Sequence, residues 1–322
     1  MKKTKILIFG MALMVLPLLL ASFACAQTTE KPIIVCTTSA IGSVVEELLG
    51  DNADVLVLVQ PGLCPADFDL KPGYVDALSK ADILFKQNIQ GEFWLEDLVT
   101  SAGNSDLTVV AIPGVYNTPA GARNYINGVG GNLSQILGID LDAEISQMLT
   151  KVDTVASLME TQAATFDASD VKVICMGWLK TFIESAGFTV VATFNPPETL
   201  SAGDITDLIA TAQSEGVALV VDNLQIDTEF GAEIANEAGA EHVVLTNFPG
   251  AIPNTESLSE MLRYNTQQLF SSTVTWRVTS GLKAETTDLQ TQVSLLQLTT
   301  ALAAIVACVE AVLLLTKRKP KK

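Results

Sequence analysis

Four residues carry chemistry that stands apart from the rest of the chain. Cys36, Cys64 and Cys175 are the cysteines between residues 27 and 294, and Met176 adjoins the last of them. Thiolates and thioethers favour soft ions such as copper(I) or zinc, so Cys64, Cys175 and Met176 form a candidate metal set. Plainer roles are open to the same residues. Free cysteine is among the most buried residue types and behaves as a small hydrophobe, and Cys36 can instead pair with Cys64 as a disulfide in an oxidising compartment. His242 is the one histidine in 322 residues. A single imidazole removes most triad and acid–base schemes. There is no nucleophile elbow, no phosphate-binding glycine loop and no HExxH motif. With 36 Asp and Glu in the chain, a close pair of carboxylates carries no information. The expectation is a protein that is not an enzyme.

The elements that position these residues alternate in type. Short apolar runs at Pro32–Cys36, Asp54–Val59, Asp82–Lys86 and Leu107–Ile112 read as strands, with helices over Ser43–Leu49, Tyr74–Lys80 and Phe93–Ala102 between them. Pro113–Gly131, rich in Gly, Asn and Pro, reads as a loop. Leu141–Phe166 has no Gly or Pro, and its apolar residues from Ile145 to Met159 recur at helical spacing. A second series follows, with strands at Val171–Cys175, Thr189–Thr193, Val217–Val221 and His242–Leu245 and a closing helix over Thr255–Phe270. Continuously apolar strands alternating with helices specify parallel sheets covered on both faces. The expected fold class is therefore α/β: two lobes with parallel sheets, one long interlobe helix, and a ligand cleft between the lobes. Ligands of open α/β sheets bind outside the carboxyl ends of the strands. That rule selects Cys36, Cys64, Cys175, Met176, Asp222, Asn223, Thr246 and Asn247, and Thr37, Asp67 and Trp178 join Cys36, Cys64, Asp222 and Asn247 as candidate ligand-binding residues. Trp178 and Phe194 can line such a pocket or simply pack. His242 begins its strand, at the end away from the cleft, and is expected to be an ordinary packed or solvated residue.

Both ends of the chain are apolar. Residues 1–26 read as a signal peptide, with Lys2, Lys3 and Lys5 ahead of an apolar stretch and small residues around Cys25, which is either part of a cleavage site or retained anchor or the lipidated residue of a lipoprotein signal. Leu295–Thr316 is long enough to cross a bilayer, which takes about 20 residues, and a basic tail follows at 317–322. Basic residues stay on the cytoplasmic side, so the body of the chain is expected outside a cell membrane, with its C-terminus in the cytoplasm. Glu310 falls inside the apolar run, either hydrated near the interface or in contact with another membrane helix. The expected organisation is an N-terminal lobe over 27–138, the interlobe helix over 139–168, a C-terminal lobe over 169–272, a stalk over 273–294, a membrane helix over 295–316 and the tail. Between residues 27 and 294 the chain has 11 basic residues against 35 acidic ones, a net charge of −24. Nucleic acid and anionic lipid are poor partners for such a surface. Leu282, Leu289 and Leu296 are spaced by seven in the stalk, which admits either a lone helix or a coiled-coil seam.

Several local strings resemble a known family. Leu58-Val-Gln-Pro61-Gly62-Leu-Cys64-Pro65-Ala66-Asp67-Phe68-Asp69, then Ala81-Asp82-Ile83-Leu84, Glu92-Phe93-Trp94-Leu95 and Leu262-Arg263-Tyr264-Asn265, are similar to the solute-binding proteins of zinc- and manganese-type ABC importers. The resemblance covers about residues 31–270. It implies an extracytoplasmic receptor that hands a metal ion (zinc, manganese or copper) or a metal-containing solute to an ABC permease. The departures fall on the metal ligands. The family's first metal histidine falls on Ala66 with the preceding Asp on Cys64, the second near Gly131-Asn132, the third on Met176, and the acidic ligand near Thr246-Asn247. A softer site rebuilt from Cys64, Cys175 and Met176, a small organic solute or chelate, and a surface sensor or adhesion protein that has lost its ligand are the alternatives the sequence leaves open.

Overall fold

The computed structural model describes residues 30–317. The signal segment 1–26 and tail residues 318–322 lie outside the described residues. The first lobe holds strands β1 (Ile33–Cys36), β2 (Asp54–Val57), β3 (Ile83–Lys86) and β4 (Thr108–Ala111), with helices α1 (Ser39–Leu49), α2 (Pro72–Lys80) and α3 (Leu95–Ala102). Helices α4 (Pro119–Leu137) and α5 (Asp142–Thr165) follow. The second lobe holds β5 (Lys172–Met176), β6 (Thr189–Phe194), β7 (Leu219–Asn223) and β8 (Glu241–Leu245), with α6 (Lys180–Ser185), α7 (Ala202–Glu215) and α8 (Glu229–Ala238). Helix α9 (Leu258–Lys317) closes the chain.

Each lobe carries a four-stranded, all-parallel sheet, ordered β2-β1-β3-β4 in the first and β6-β5-β7-β8 in the second. The two orders are equivalent, so the lobes repeat one topology that leaves no trace in sequence. In both, strand order reverses beside the first strand, and that switch point opens the crevice at the carboxyl ends. The central strands β1, β3, β5 and β7 are buried on both faces, as their unbroken apolar character requires, while the edge strands β2, β4 and β6 are partly exposed. One apolar cluster runs from Ile34 and Phe85 through Met148, Val152, Val155 and Met159 of α5 into Val173, Leu219 and Phe270. A smaller cluster around Val35, Leu84, Trp94 and Leu98 covers the outer face of the first sheet. A core continuous across the linking helix joins the lobes side to side rather than through a flexible strand.

Two parts of the chain differ from the reading of the sequence. Pro113–Gly131 is largely helix, not loop: α4 starts at Pro119, capped by the Thr118 hydroxyl, which accepts from Gly121 N–H at 3.0 Å. Its glycines serve close packing, since a Cβ on Gly130 would lie 2.6 Å from Ile145 Cδ1. The closing helix, stalk and apolar run are one unbroken 60-residue helix, α9. Threonines in its exposed part satisfy their hydroxyls on the preceding turn, as Thr279 does on Thr275 O and Thr286 on Leu282 O, both at 2.8 Å. One helix long and apolar enough to cross a membrane is present among the described residues, and it lies within Leu258–Leu313.

Candidate functional site

The carboxyl ends of β1 and β3 are joined by a buried polar cluster. The Thr37 hydroxyl donates to the Glu92 carboxylate and accepts from Gln87 N–H at 3.1 Å. Glu92 also accepts backbone N–H bonds from Gln87, Asn88 and Ile89, the shortest 2.6 Å from Asn88. Asn88 itself sits at φ 60°, in the left-handed region that Asn tolerates better than most residues. A buried carboxylate is costly unless it is fully hydrogen-bonded, and Glu92 meets that condition through four donors. Thr38 donates to Gln87 Oε1 at 2.7 Å. These bonds lock the loop after β3 against the loop after β1.

The strings Pro61–Asp69 and Glu92–Leu95 hold one another. Trp94 Nε1 donates to Pro65 O at 2.8 Å, and the Phe68 ring stacks on Trp94 with centroids 3.9 Å apart. Gly91 allows the approach, because a Cβ there would lie 3.2 Å from Ala66 N. Cys64 is half-buried at the head of this turn, while Ala66 and Asp67 are exposed.

Among the described residues, four side-chain hydrogen bonds join the strand ends of one lobe to those of the other. Ser39 Oγ donates to Pro249 O at 2.8 Å. Asn117 Nδ2 donates to Asn247 Oδ1 at 3.0 Å and to Trp178 O at 3.1 Å. Gln225 Nε2 donates to Pro61 O at 2.9 Å and to Thr246 Oγ1 at 2.9 Å, while Gln225 Oε1 accepts from Asn247 N–H at 3.2 Å. Ser39, Asn117, Gln225 and Asn247 are all buried. Asn265 supports this seam from α9, accepting from Thr246 N–H and donating to Thr246 O. The facing strand ends are thus closed by neutral hydroxyls and carboxamides.

The structure distributes the residues singled out from the sequence. Thr37 and Asn247 belong to the buried network, Cys64 and Asp67 stand on the rim, and Trp178 is 43% exposed with its carbonyl held by Asn117. Cys36, Cys175 and Met176 are fully buried in their strands. Burial pushes the Cys175 thiol up to about 12 and Cys36 higher still. Cys36, Cys64, Cys175 and Cys308 are free thiols, so the Cys36–Cys64 disulfide is not formed. Phe194 packs edge-on against Phe230 in the core. Asp222 lies on the sheet face beneath α8 rather than at the strand end: its Oδ2 is 2.7 Å from His242 Nε2, and a Cβ on Gly231 would collide with it at 2.0 Å. His242, read as ordinary, is the partner of this buried carboxylate. Gly131-Asn132 lie within α4, where Asn132 donates to Gly128 O.

Among the described residues no group of three or more His, Cys, Asp or Glu is placed to hold a metal ion. The donor set at the lobe junction is neutral, and zinc is held in proteins by thiolate, imidazole or carboxylate groups. Ser39, Asn117 and Gln225 were not singled out from the sequence. The signal was available: each follows an apolar strand segment by a few residues, where an amide or hydroxyl has no reason of secondary structure to be.

A model of the ZnuA family, zinc-uptake complex component A periplasmic, matches residues 34–272. The high-affinity zinc uptake system protein ZnuA of Paracoccus denitrificans is 27% identical over 117 residues, which is 36% of this chain and 34% of that protein. The manganese-binding lipoprotein MntA of Halalkalibacterium halodurans is 28% identical over 108 residues, 32% of this chain and 36% of that protein. The chain thus aligns with about a third of the length of these relatives. A manganese-bound periplasmic metal binding protein of Candidatus Liberibacter asiaticus superposes with a TM-score of 0.67 at 14% identity, over 76% of this chain and all of that one. A zinc-bound ZnuA deletion mutant superposes with a TM-score of 0.63 at 18% identity, over 76% and 98%. Identities this low speak for the fold alone, but the family model spans well over half of the sequence, and the chain belongs to the ZnuA family of solute-binding proteins.

Proposed function

We propose that this chain is an extracytoplasmic receptor, anchored through α9, that presents a solute to an ABC permease. The observation that carries this reading is the facing of two equivalent parallel sheets, with their carboxyl ends joined by Ser39, Asn117, Gln225 and Asn247. A junction of strand ends is where open α/β sheets bind ligands, and no acid–base set is assembled there for catalysis. The relatives named above carry zinc or manganese, and membership of their family supports a metal-containing cargo. The donors of this chain favour a solute recognised through its own oxygen and nitrogen atoms, such as a metal chelate or a small polar molecule, over a bare ion. Such a solute would exchange hydrogen bonds with the carboxamides that now bond to one another.

A soft metal bound by Cys64, Cys175 and Met176 is the second reading, supported by the chemistry of sulfur and by the half-buried position of Cys64. It requires Cys175 and Met176 to leave the core. Melting of the reduced protein with free zinc, manganese and copper(I), and with the same metals as chelates, separates the two. A ligand at a hundred times its dissociation constant stabilises the folded state by about 2.7 kcal/mol. Stabilisation by chelates alone, lost in Asn117→Ala, supports the first reading. Stabilisation by a free metal, lost in Cys64→Ser, supports the second. No stabilisation by any solute counts against the receptor and for a fold kept without its ligand.

A further inference from the structure

Helix α9 leaves the second lobe at Trp276 and Arg277, where the Arg277 guanidinium donates to Phe166 O at 2.6 Å. From Gly281 to Leu313 every residue is exposed. The stretch between Arg277 and Leu295 is a free-standing helix of about 26 Å at 1.5 Å per residue. Its composition does not account for it. Ser280, Gly281, Thr286, Thr287 and Thr291 are weak helix formers, and the tertiary packing that supplies most helical stability is missing along the exposed stretch from Gly281 to Ser294. A partner of matching length and direction would hold it.

The pattern of side chains says which partner. Leu282, Leu289, Leu296, Ala303 and Glu310 stand seven apart. Three residues before each stand Thr279, Thr286, Val293, Thr300 and Ala307. This is one unbroken heptad register crossing from the stalk into the apolar run. β-branched residues at the first seam position with leucine at the second favour two parallel strands. Deeper in, alanine replaces leucine on the same seam, and small residues let membrane helices approach closely. Val293, Leu296 and Thr300 of this seam line one shallow hollow together with the flanking Gln297, Ala301 and Ala304. Glu310 is the only charged residue between Leu289 and Thr316, and it falls on the seam rather than toward lipid. Intramembrane carboxylates characteristically face a helix partner.

We propose that stalk and membrane run together form a parallel two-stranded homodimer whose seam includes Glu310. This rests on the reading that α9 enters a membrane, which fixes every copy in the same direction and leaves a second copy with its identical register in step. Two Glu310 carboxyls then meet at one level, where they can share a proton across the seam. The lobes carry a net charge of −24 per copy and repel, so the stalk holds two receptors together while keeping their lobes apart.

Oxidative crosslinking of the full chain in membranes tests this, with Cys308→Ala in every variant and the chain lacking an added cysteine as background. Leu289→Cys and Leu296→Cys should crosslink to twice the chain mass several-fold more than Thr287→Cys and Thr291→Cys, which lie off the seam. Equal or absent crosslinking in a membrane-bound chain overturns the dimer and leaves the anchor standing. A chain recovered in the soluble fraction overturns the anchor, and the dimer with it. An adduct of any other mass assigns the seam to a different membrane protein and overturns the homodimer.

Discussion

Asn117 and Asn247 are 130 residues apart in sequence and share a 3.0 Å hydrogen bond between the first lobe and the second. The donor sits just ahead of α4 and the acceptor just after β8, so the bond closes the lobes at the mouth of both sheets. Asn117→Ala removes this bond and the one to Trp178 O, leaving the buried Asn247 carbonyl and the part-buried Trp178 carbonyl without this donor. Unsatisfied buried groups cost about 1–3 kcal/mol each. The expected result is a loss of about 1–3 kcal/mol by urea unfolding, chiefly from Asn247. A loss below half a kcal/mol would show that the junction is wet and the bond exchangeable.

Glu92 anchors the loop after β3 against the loop after β1 in the first lobe. Glu92→Ala strips the partners from the Thr37 hydroxyl and from three backbone N–H groups. The cost is expected at about 3 kcal/mol or more, by the penalty for unsatisfied buried donors. Glu92→Gln is expected to be milder, since its Oε1 still accepts while its amide cannot. Hydrogen exchange at Gln87–Ile89 should rise in both variants, and unchanged protection there would contradict the role.

The Asp222–His242 pair gives a pH dependence with a definite sign. Burial raises the Asp222 pKa, and the His242 contact offsets this in part. A carboxyl whose folded pKa exceeds its unfolded one stabilises the fold when protonated. That contribution is complete below the ordinary value of about 3.9 and is lost as pH rises through the folded value. Asp222→Asn cannot ionise, so its stability relative to the native protein should improve from about pH 4 to pH 7. A stability of Asp222→Asn that falls relative to the native protein over this range would reverse the assignment. Gly231→Ala, whose Cβ would meet Asp222 Oδ2 at 2.0 Å, is expected to cost about 1–3 kcal/mol through overpacking.

Thiol reactivity separates rim from core. Cys64 is half-buried, whereas Cys36 and Cys175 are fully buried with their thiols raised by desolvation. The thiolate is the reactive form, so maleimide should modify Cys64 in the folded protein and the other two only after unfolding. Rapid native labelling of Cys175 would show that its strand opens, as the soft-metal reading requires.

Much of this architecture was legible in the sequence because its signals are local and repeated. Apolar runs such as Val217–Val221, buried on both faces, can only be strands of a covered parallel sheet, and the stripe of α5 from Ile145 to Met159 states its helix directly. Helix α4 was missed because glycine and proline were read as breakers. Pro119 is at a first-turn position where it is tolerated, and Gly121 and Gly130 admit neighbours that any side chain would exclude. The buried stripe Ala122, Tyr125, Ile126, Val129 and Leu133 was the overlooked signal. Asp222 was placed at the cleft from its strand-end position, but alternation along β7 turns its side chain under α8. The amide network was not legible, since pairing across 130 residues follows from the docking of two lobes and not from any local pattern.

A solute held at the junction between the lobes is the property most directly open to measurement. Native mass spectrometry of the full chain, purified from its own membranes without chelators, weighs that solute directly. A discrete added mass is expected, lost from Asn117→Ala and Asn247→Ala and retained by Asp222→Asn. A bare polypeptide mass in the native protein, unchanged after incubation with metals and metal chelates, would contradict it.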